Sequence, residues 1–168
     1  MSLNKILKNY YLETIIILII FFLDRLSKLF VIHRDKLNFN SEIYSSKFLN
    51  INLIWNEGIA FGLFSFNENY LYNLLTFLIF IVIIFIIFMI RKSDPVRKYA
   101  LLLVLGGALG NFFDRLIYKA VHDFIDFHVG NFHWFIFNVS DIFITIGIIL
   151  MVIIEIVNKP KARNNEKI

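Results

Sequence analysis

From Leu74 to Ile90 the chain reads "LLTFLIFIVIIFIIFMI" without one charged residue. A helix rises about 1.5 Å per residue, so about 20 residues cross the roughly 30 Å hydrocarbon core of a bilayer. Inside hydrocarbon the backbone must satisfy its own polar groups, and a helix does this within one segment. Windows of suitable length fit at about 12–32, 70–90, 99–117 and 135–157. Four transmembrane helices are therefore expected, in an all-α membrane protein forming one domain over residues 1–168. A hydrophobic content of 58% and a mean hydropathy of +0.70 fit that class.

The first window follows Lys5 and Lys8 as a signal peptide would, but it meets Asp24, Arg25 and Lys28 with no small-residue cleavage site. It is expected to stay as an uncleaved anchor. Ten Lys and Arg residues fall in the N-terminal segment, the 91–98 connection and the tail 158–168. The two longer connections, about 33–69 and 118–134, hold only Arg34, Lys36, Lys47 and Lys119. The positive-inside rule then places both termini in the cytoplasm and both longer loops outside. Topology accounts for the net charge of +4, so no nucleic-acid partner is implied. The absence of cysteine excludes disulfides, thiol nucleophiles and thiolate metal sites.

Two features soften the all-α expectation. In "FLNINLIWN", Leu49, Ile51, Leu53 and Trp55 alternate with Asn50, Asn52 and Ile54, the period of a strand with one apolar face. Trp55 suits the headgroup region, so this strand is expected to lie on the outer leaflet. In "FHVGNFHW", Gly130 and Asn131 separate two Phe-His pairs as a two-residue hairpin turn would. A small extracytoplasmic β element is expected from both.

Polar residues collect at one depth, near the outer ends of three helices. Asp24 and Lys28 stand at i and i+4; Asn111, Asp114 and Arg115 end the third helix; Asn138 and Asp141 share a face at the start of the fourth. A charged group at mid-helix costs roughly 2.5–3.5 kcal/mol on insertion scales, so such a layer faces a bundle interior. Gly106 and Gly110 of "GGALG" form a small-residue face that lets a neighbouring helix approach. Asp24 with Lys28 reads first as a structural ion pair. Asp114 with Arg115 reads equally as an interfacial anchor, and the asparagines as interhelical hydrogen-bond glue. Asp141 resists such a reading, because no Lys or Arg lies within a turn of it on its own helix.

A partner acid for Asp141 is offered by "AVHDFIDFHVG". In an extended chain Asp123 points with Val121, Ile125, Phe127 and Val129 toward an apolar side, while Asp126 joins His122 and His128 toward water. Alternation favours Asp123 as the buried acid. Two carboxylates in one low-dielectric site share a proton and supply an acid and a base together, the chemistry of an aspartic protease. Asn111, Asn138 and Arg115 are placed to orient the acids or hold an oxyanion. Ser27 and Lys28 diverge by about 100° on a helix and cannot form a dyad. His122, Asp123, Asp126, His128 and His133 supply metal-ligand types, but without HExxH on a helix no catalytic metal is expected. A proton-coupled transporter is the alternative class, for which four helices leave little room for inverted repeats.

Five boxes now stand in order: "DRLSK" at 24–28, "NEGIAFG" at 56–62, "GGALGNFFDR" at 106–115, "VHDF" at 121–124 and "FNVSD" at 137–141. In these boxes the chain resembles the bacterial lipoprotein signal peptidases, signal peptidase II, over nearly its whole length. The resemblance implies catalytic aspartates at Asp123 and Asp141. It also implies supporting positions at Asn56, Asn111, Arg115 and Asn138, with Gly58, Asp24, Lys28 and Asp114 in family boxes. It implies a monomeric aspartic endopeptidase of the bacterial cytoplasmic membrane, with its site near the outer face and without a cofactor or metal. Its partners would be membrane lipid and diacylglyceryl-modified prolipoproteins, cut on the amino side of the lipidated cysteine, and globomycin would inhibit it. His122, Ser140, Glu57 and Ile59 depart from the commonest family patterns without removing an acid. The strand at 49–55, followed by Gly58 and Gly62, is expected to act as a flap over the substrate.

Overall fold

The computed structural model describes residues 3–37, 42–58 and 69–158. Within them lie α1 (Leu3–Leu37), β1 (Glu42–Ser45), β2 (Leu49–Asn56), α2 (Asn69–Lys92), α3 (Pro95–Tyr118), β3 (Val121–Val129), β4 (Phe132–Phe137) and α4 (Val139–Val157). Three of the helices, α2, α3 and α4, are long and apolar enough to cross a membrane. The fourth, α1, has 35 residues and carries Asp24, Arg25 and Lys28 within its length. The fold is thus mostly helical with one small sheet.

Helix α3 is central and packs on α1, α2 and α4. Its start is fixed by Asp94, whose side chain accepts from the amides of Val96 and Arg97, and by Pro95, which has no amide to leave unpaired. Against α2 it builds an aliphatic core of Ile83, Ile86, Ile90, Leu101, Leu102 and Leu105. Its opposite side is the glycine face. A Cβ on Gly106 would lie 2.9 Å from Ile20 of α1, and one on Gly107 would collide with the Ser140 carbonyl of α4. Only bare backbone lets three helices meet so closely, as the small-residue spacing predicts.

The four strands form one antiparallel sheet in the order β1-β2-β3-β4. The alternation over 49–55 becomes β2, and Gly130 makes the β3–β4 turn at φ +59°, a backbone setting that suits a residue without Cβ. Three sequence expectations need correction. The fourth helix begins at Val139 rather than about 135, because "FHWFIF" is strand β4 and Asn138 caps the helix behind it. The first helix extends beyond the 12–32 window at both ends, to Leu3 and Leu37. The β3 face assigned to water is covered instead: His122 is fully buried and Asp126 is 3% exposed. His122 lies beneath Trp55 and Tyr118, with ring centroids 4.4 and 4.6 Å away. Gly62 and the tail 159–168 lie outside the described residues.

Candidate active site

Strand β3 and the first turn of α4 bring Asp123 and Asp141 to one cleft of about 270 Å³. Asn56, Asn111 and Arg115 also line it, with Val121, Phe135, Ile136, Ile144 and Thr145 as its apolar walls. Asp123 is 4% exposed. No histidine lines the cleft among the described residues.

Asn138 joins the two acids. Its Nδ2 donates to Asp123 Oδ1 at 2.6 Å, while its Oδ1 accepts from the Asp141 amide at 3.1 Å. Its own amide donates to Asp141 Oδ2 at 3.1 Å, closing a reciprocal capping box at the α4 N-terminus. The bonds that start the helix are thus the bonds that set the acids. Each remaining oxygen has its own asparagine. Asn56 Nδ2 donates to Asp123 Oδ2 at 2.7 Å, and Asn111 Nδ2 donates to Asp141 Oδ1 at 2.7 Å.

The amide orientations of these asparagines are fixed from behind. Asn56 Oδ1 accepts the Gly58 amide at 2.9 Å, and Asn111 Oδ1 accepts the Lys28 ammonium at 2.9 Å. Since an ammonium can only donate, Asn111 must turn its NH₂ to Asp141. Arg115 donates to the Gly58 carbonyl at 2.7 Å and so clamps the end of β2 over the cleft. Burial pushes the Asp123 carboxyl up to about 6, the charge of Asp141 adds to the rise, and the donors Asn56 and Asn138 oppose it.

Asp24, Lys28 and Asp114 do not line the cleft. They form a buried ion cluster behind it, with Arg25 as a fourth member. Lys28 bridges Asp24 at 3.0 Å and Asp114 at 2.7 Å, and Arg25 spans the same two acids. Two anions and two cations cancel. Asp24 Oδ1 also accepts the Ser140 amide at 3.0 Å, tying α1 to the turn of α4 that holds Asp141. Asp114 Oδ1 lies 3.2 Å from His122 Nδ1, beside Asp123 on β3. Sequence reading missed Arg25, because residues i and i+1 point apart on a helix; its long side chain reaches back around.

A family model described as Signal peptidase (SPase) II matches residues 16–157. The chain belongs to this family. It is 50% identical over 165 residues to the "Lipoprotein signal peptidase" of Pelagibacter ubique (strain HTCC1062), covering 98% of this chain and 99% of that relative. The "Lipoprotein signal peptidase" of Anaplasma phagocytophilum (strain HZ) is 37% identical over 143 residues, 84% of this chain and 90% of its own. A solved bacterial membrane enzyme superposes with a TM-score of 0.69 at 26% identity, covering 93% of each chain. Membership in the signal peptidase II family makes the cleft the natural place to look for its chemistry.

Proposed function

We propose that this chain is an aspartic endopeptidase that removes signal peptides from diacylglyceryl-modified prolipoproteins, with Asp123 and Asp141 as its catalytic pair. The observation that carries the reading is the Asn138 bridge: its buried side chain donates to the Asp123 carboxylate and accepts the Asp141 backbone amide, while its own backbone amide donates to the Asp141 carboxylate. Two carboxylates in one buried site share a proton, and burial together with the Asp141 charge raises the Asp123 carboxyl to about 6. The ionised acid draws a proton from water, which attacks the scissile carbonyl, and the protonated acid donates to the oxygen as the tetrahedral intermediate forms. Collapse breaks the C–N bond: the departing amine takes the proton first removed from water, and a hydroxyl of the gem-diol returns its proton to the other acid, which restores the pair. Asn56, Asn111 and Asn138 position the acids; Arg115 holds the β2 end and faces the substrate backbone. No step calls for a cofactor or a metal.

The cleft opens beside an apolar groove of Phe127, Trp134, Phe137, Ile142 and Ile146, which suits a substrate bearing acyl chains. All these groups belong to one chain, which favours a monomer. We read α1 as a fourth span, since Asp24 and Lys28 are fully buried and paired rather than turned to lipid. Both termini are then cytoplasmic, and the sheet lies at the outer face of the cytoplasmic membrane. The end of β2 with Gly58 would serve as the near half of a flap over the lipid-modified peptide.

Purified protein incubated with a diacylglyceryl prolipoprotein should release two fragments, and Asp123→Asn or Asp141→Asn should release none. Normal turnover by either variant would overturn the assignment. The chain has no cysteine, so single cysteines placed at Lys92 and Lys119 can be labelled from one side of the membrane or the other. Labelling of both from the same side would refute the topology.

A further inference from the structure

On the β3–β4 hairpin, where none of them lines the cleft that holds Asp123 and Asp141, Asp126, His128 and His133 bring one ligand atom each to within 4.8 Å of one another. We propose that these three side chains form a site for a zinc-class divalent cation. The β3–β4 hairpin builds it. Asp126 and His128 stand two apart on β3 and so share a face, and His133 is the direct partner of His128 across the hairpin. Directly opposed strand residues hold their Cβ atoms about 4.5–5.5 Å apart, a span two imidazoles can close on one ion.

The details favour a metal over a solvated polar patch. His128 Nδ1 is buried and has no hydrogen-bond partner among the described residues, which an ion would supply. Its ring stacks on that of His133 with centroids 5.1 Å apart, so both donors lie on the same side of the hairpin. His133 Nδ1 stands 2.8 and 3.0 Å from the two Asp126 oxygens. Ligands on a zinc tetrahedron with bonds of about 2.0–2.1 Å stand about 3.3 Å apart, so small side-chain adjustments complete the set. Asp126 is buried to 3% and steadied by Asn50 of β2 at 3.4 Å, while His133 is half exposed and gives the ion a way in. Two imidazoles, one carboxylate and a water make a four-coordinate site of borderline hardness, suited to zinc rather than to magnesium or calcium.

The ion would pin β4 to the strand that carries Asp123 three residues upstream of Asp126, without entering the reaction. Full-length protein in detergent, freed of metal by chelation, should bind one Zn²⁺ per chain in calorimetry, and saturating Zn²⁺ should raise its melting temperature. His133→Gln and His128→Gln should each weaken Zn²⁺ binding about tenfold or more and abolish the thermal shift, while lipoprotein-precursor cleavage persists as proof of folding. His133 is exposed enough that its variant carries the test even if His128→Gln misfolds. Equal Zn²⁺ affinity in wild type and His133→Gln, or no binding by wild type at about 100 µM Zn²⁺, would overturn the site and leave the protease reading untouched.

Discussion

Asn138→Ala removes one side chain and separates two roles. The lost amide group had given Asp123 Oδ1 a 2.6 Å bond and had capped α4 through the Asp141 amide. A hydrogen bond to a charged group contributes about 1.5–3 kcal/mol, and one pKa unit corresponds to about 1.4 kcal/mol. The bond favours the ionised carboxylate, so its loss favours the protonated one. Asp123, already lifted to about 6, should rise by a further one to two units, roughly.

On the proposed mechanism the pair works only while it shares a proton, so cleavage by the wild type should fall as pH rises through about 6 and Asp123 ionises. In Asn138→Ala that alkaline limb should move upward, to about pH 7–8. The same change should cost about 1 kcal/mol in stability through the missing cap. Asn138→Ser separates the effects, since its hydroxyl keeps the cap but falls short of Asp123. It should show the same displaced limb with most of the stability restored. The assay is kcat/KM against pH for a diacylglyceryl precursor in detergent, with thermal melting alongside. A limb that stays in place, or moves to lower pH, in a folded and active Asn138→Ala would refute the control of Asp123 by this bond.

Asp123→Asn and Asp141→Asn should each lower cleavage by about 10³-fold or more, whereas Asp126→Asn, on the other face of β3, should stay near wild type; parallel loss in all three would mean the wrong acids were chosen. Lys28→Met leaves Asp24 and Asp114 with one cation between them and should cost about 3–5 kcal/mol, read as a lowered melting temperature. Gly110→Ala would set a methyl 2.6 Å from Asp24 Oδ2 and against Ser140 Oγ, so it should cost about 1–3 kcal/mol and slow cleavage by shifting the α4 turn. A chelator should leave the precursor cleavage rate unchanged, because the proposed mechanism draws on two carboxyl groups and water alone; inhibition reversed by Zn²⁺ would contradict that.

Local chemistry was legible where one strong period or one special residue governed it. The uncharged run over 74–90 became α2, the alternation over 49–55 became β2, and Gly130 made its turn. Alternation over 121–129 also separated Asp123 from Asp126. Boundaries failed where apolarity runs through two element types. "FHWFIF" is as greasy as the helix behind it, so a hydropathy window joins them, although Asn138 and Asp141 already spelled a capping box. Burial of His122 and Asp126 was hidden for another reason. Alternation assigns two faces but cannot say that Trp55, Tyr118 and Asp114 cover His122, or that Asn50 and His133 close on Asp126.

The ion cluster explains why acids can be kept in so apolar a chain. Asp24 and Asp114 are neutralised by Arg25 and Lys28, which leaves Lys28 free to donate one more hydrogen bond to Asn111, and Asn111 turns its amide to Asp141. Charge behind the cleft is thus converted into orientation inside it, with asparagines rather than a cation bonded to the Asp123 and Asp141 oxygens. A lysine in direct contact would hold both carboxylates ionised and remove the shared proton. Asn111 between Lys28 and Asp141 passes on the geometry while keeping the ammonium out of direct contact with the carboxylate, which suits the proposed sharing of one proton.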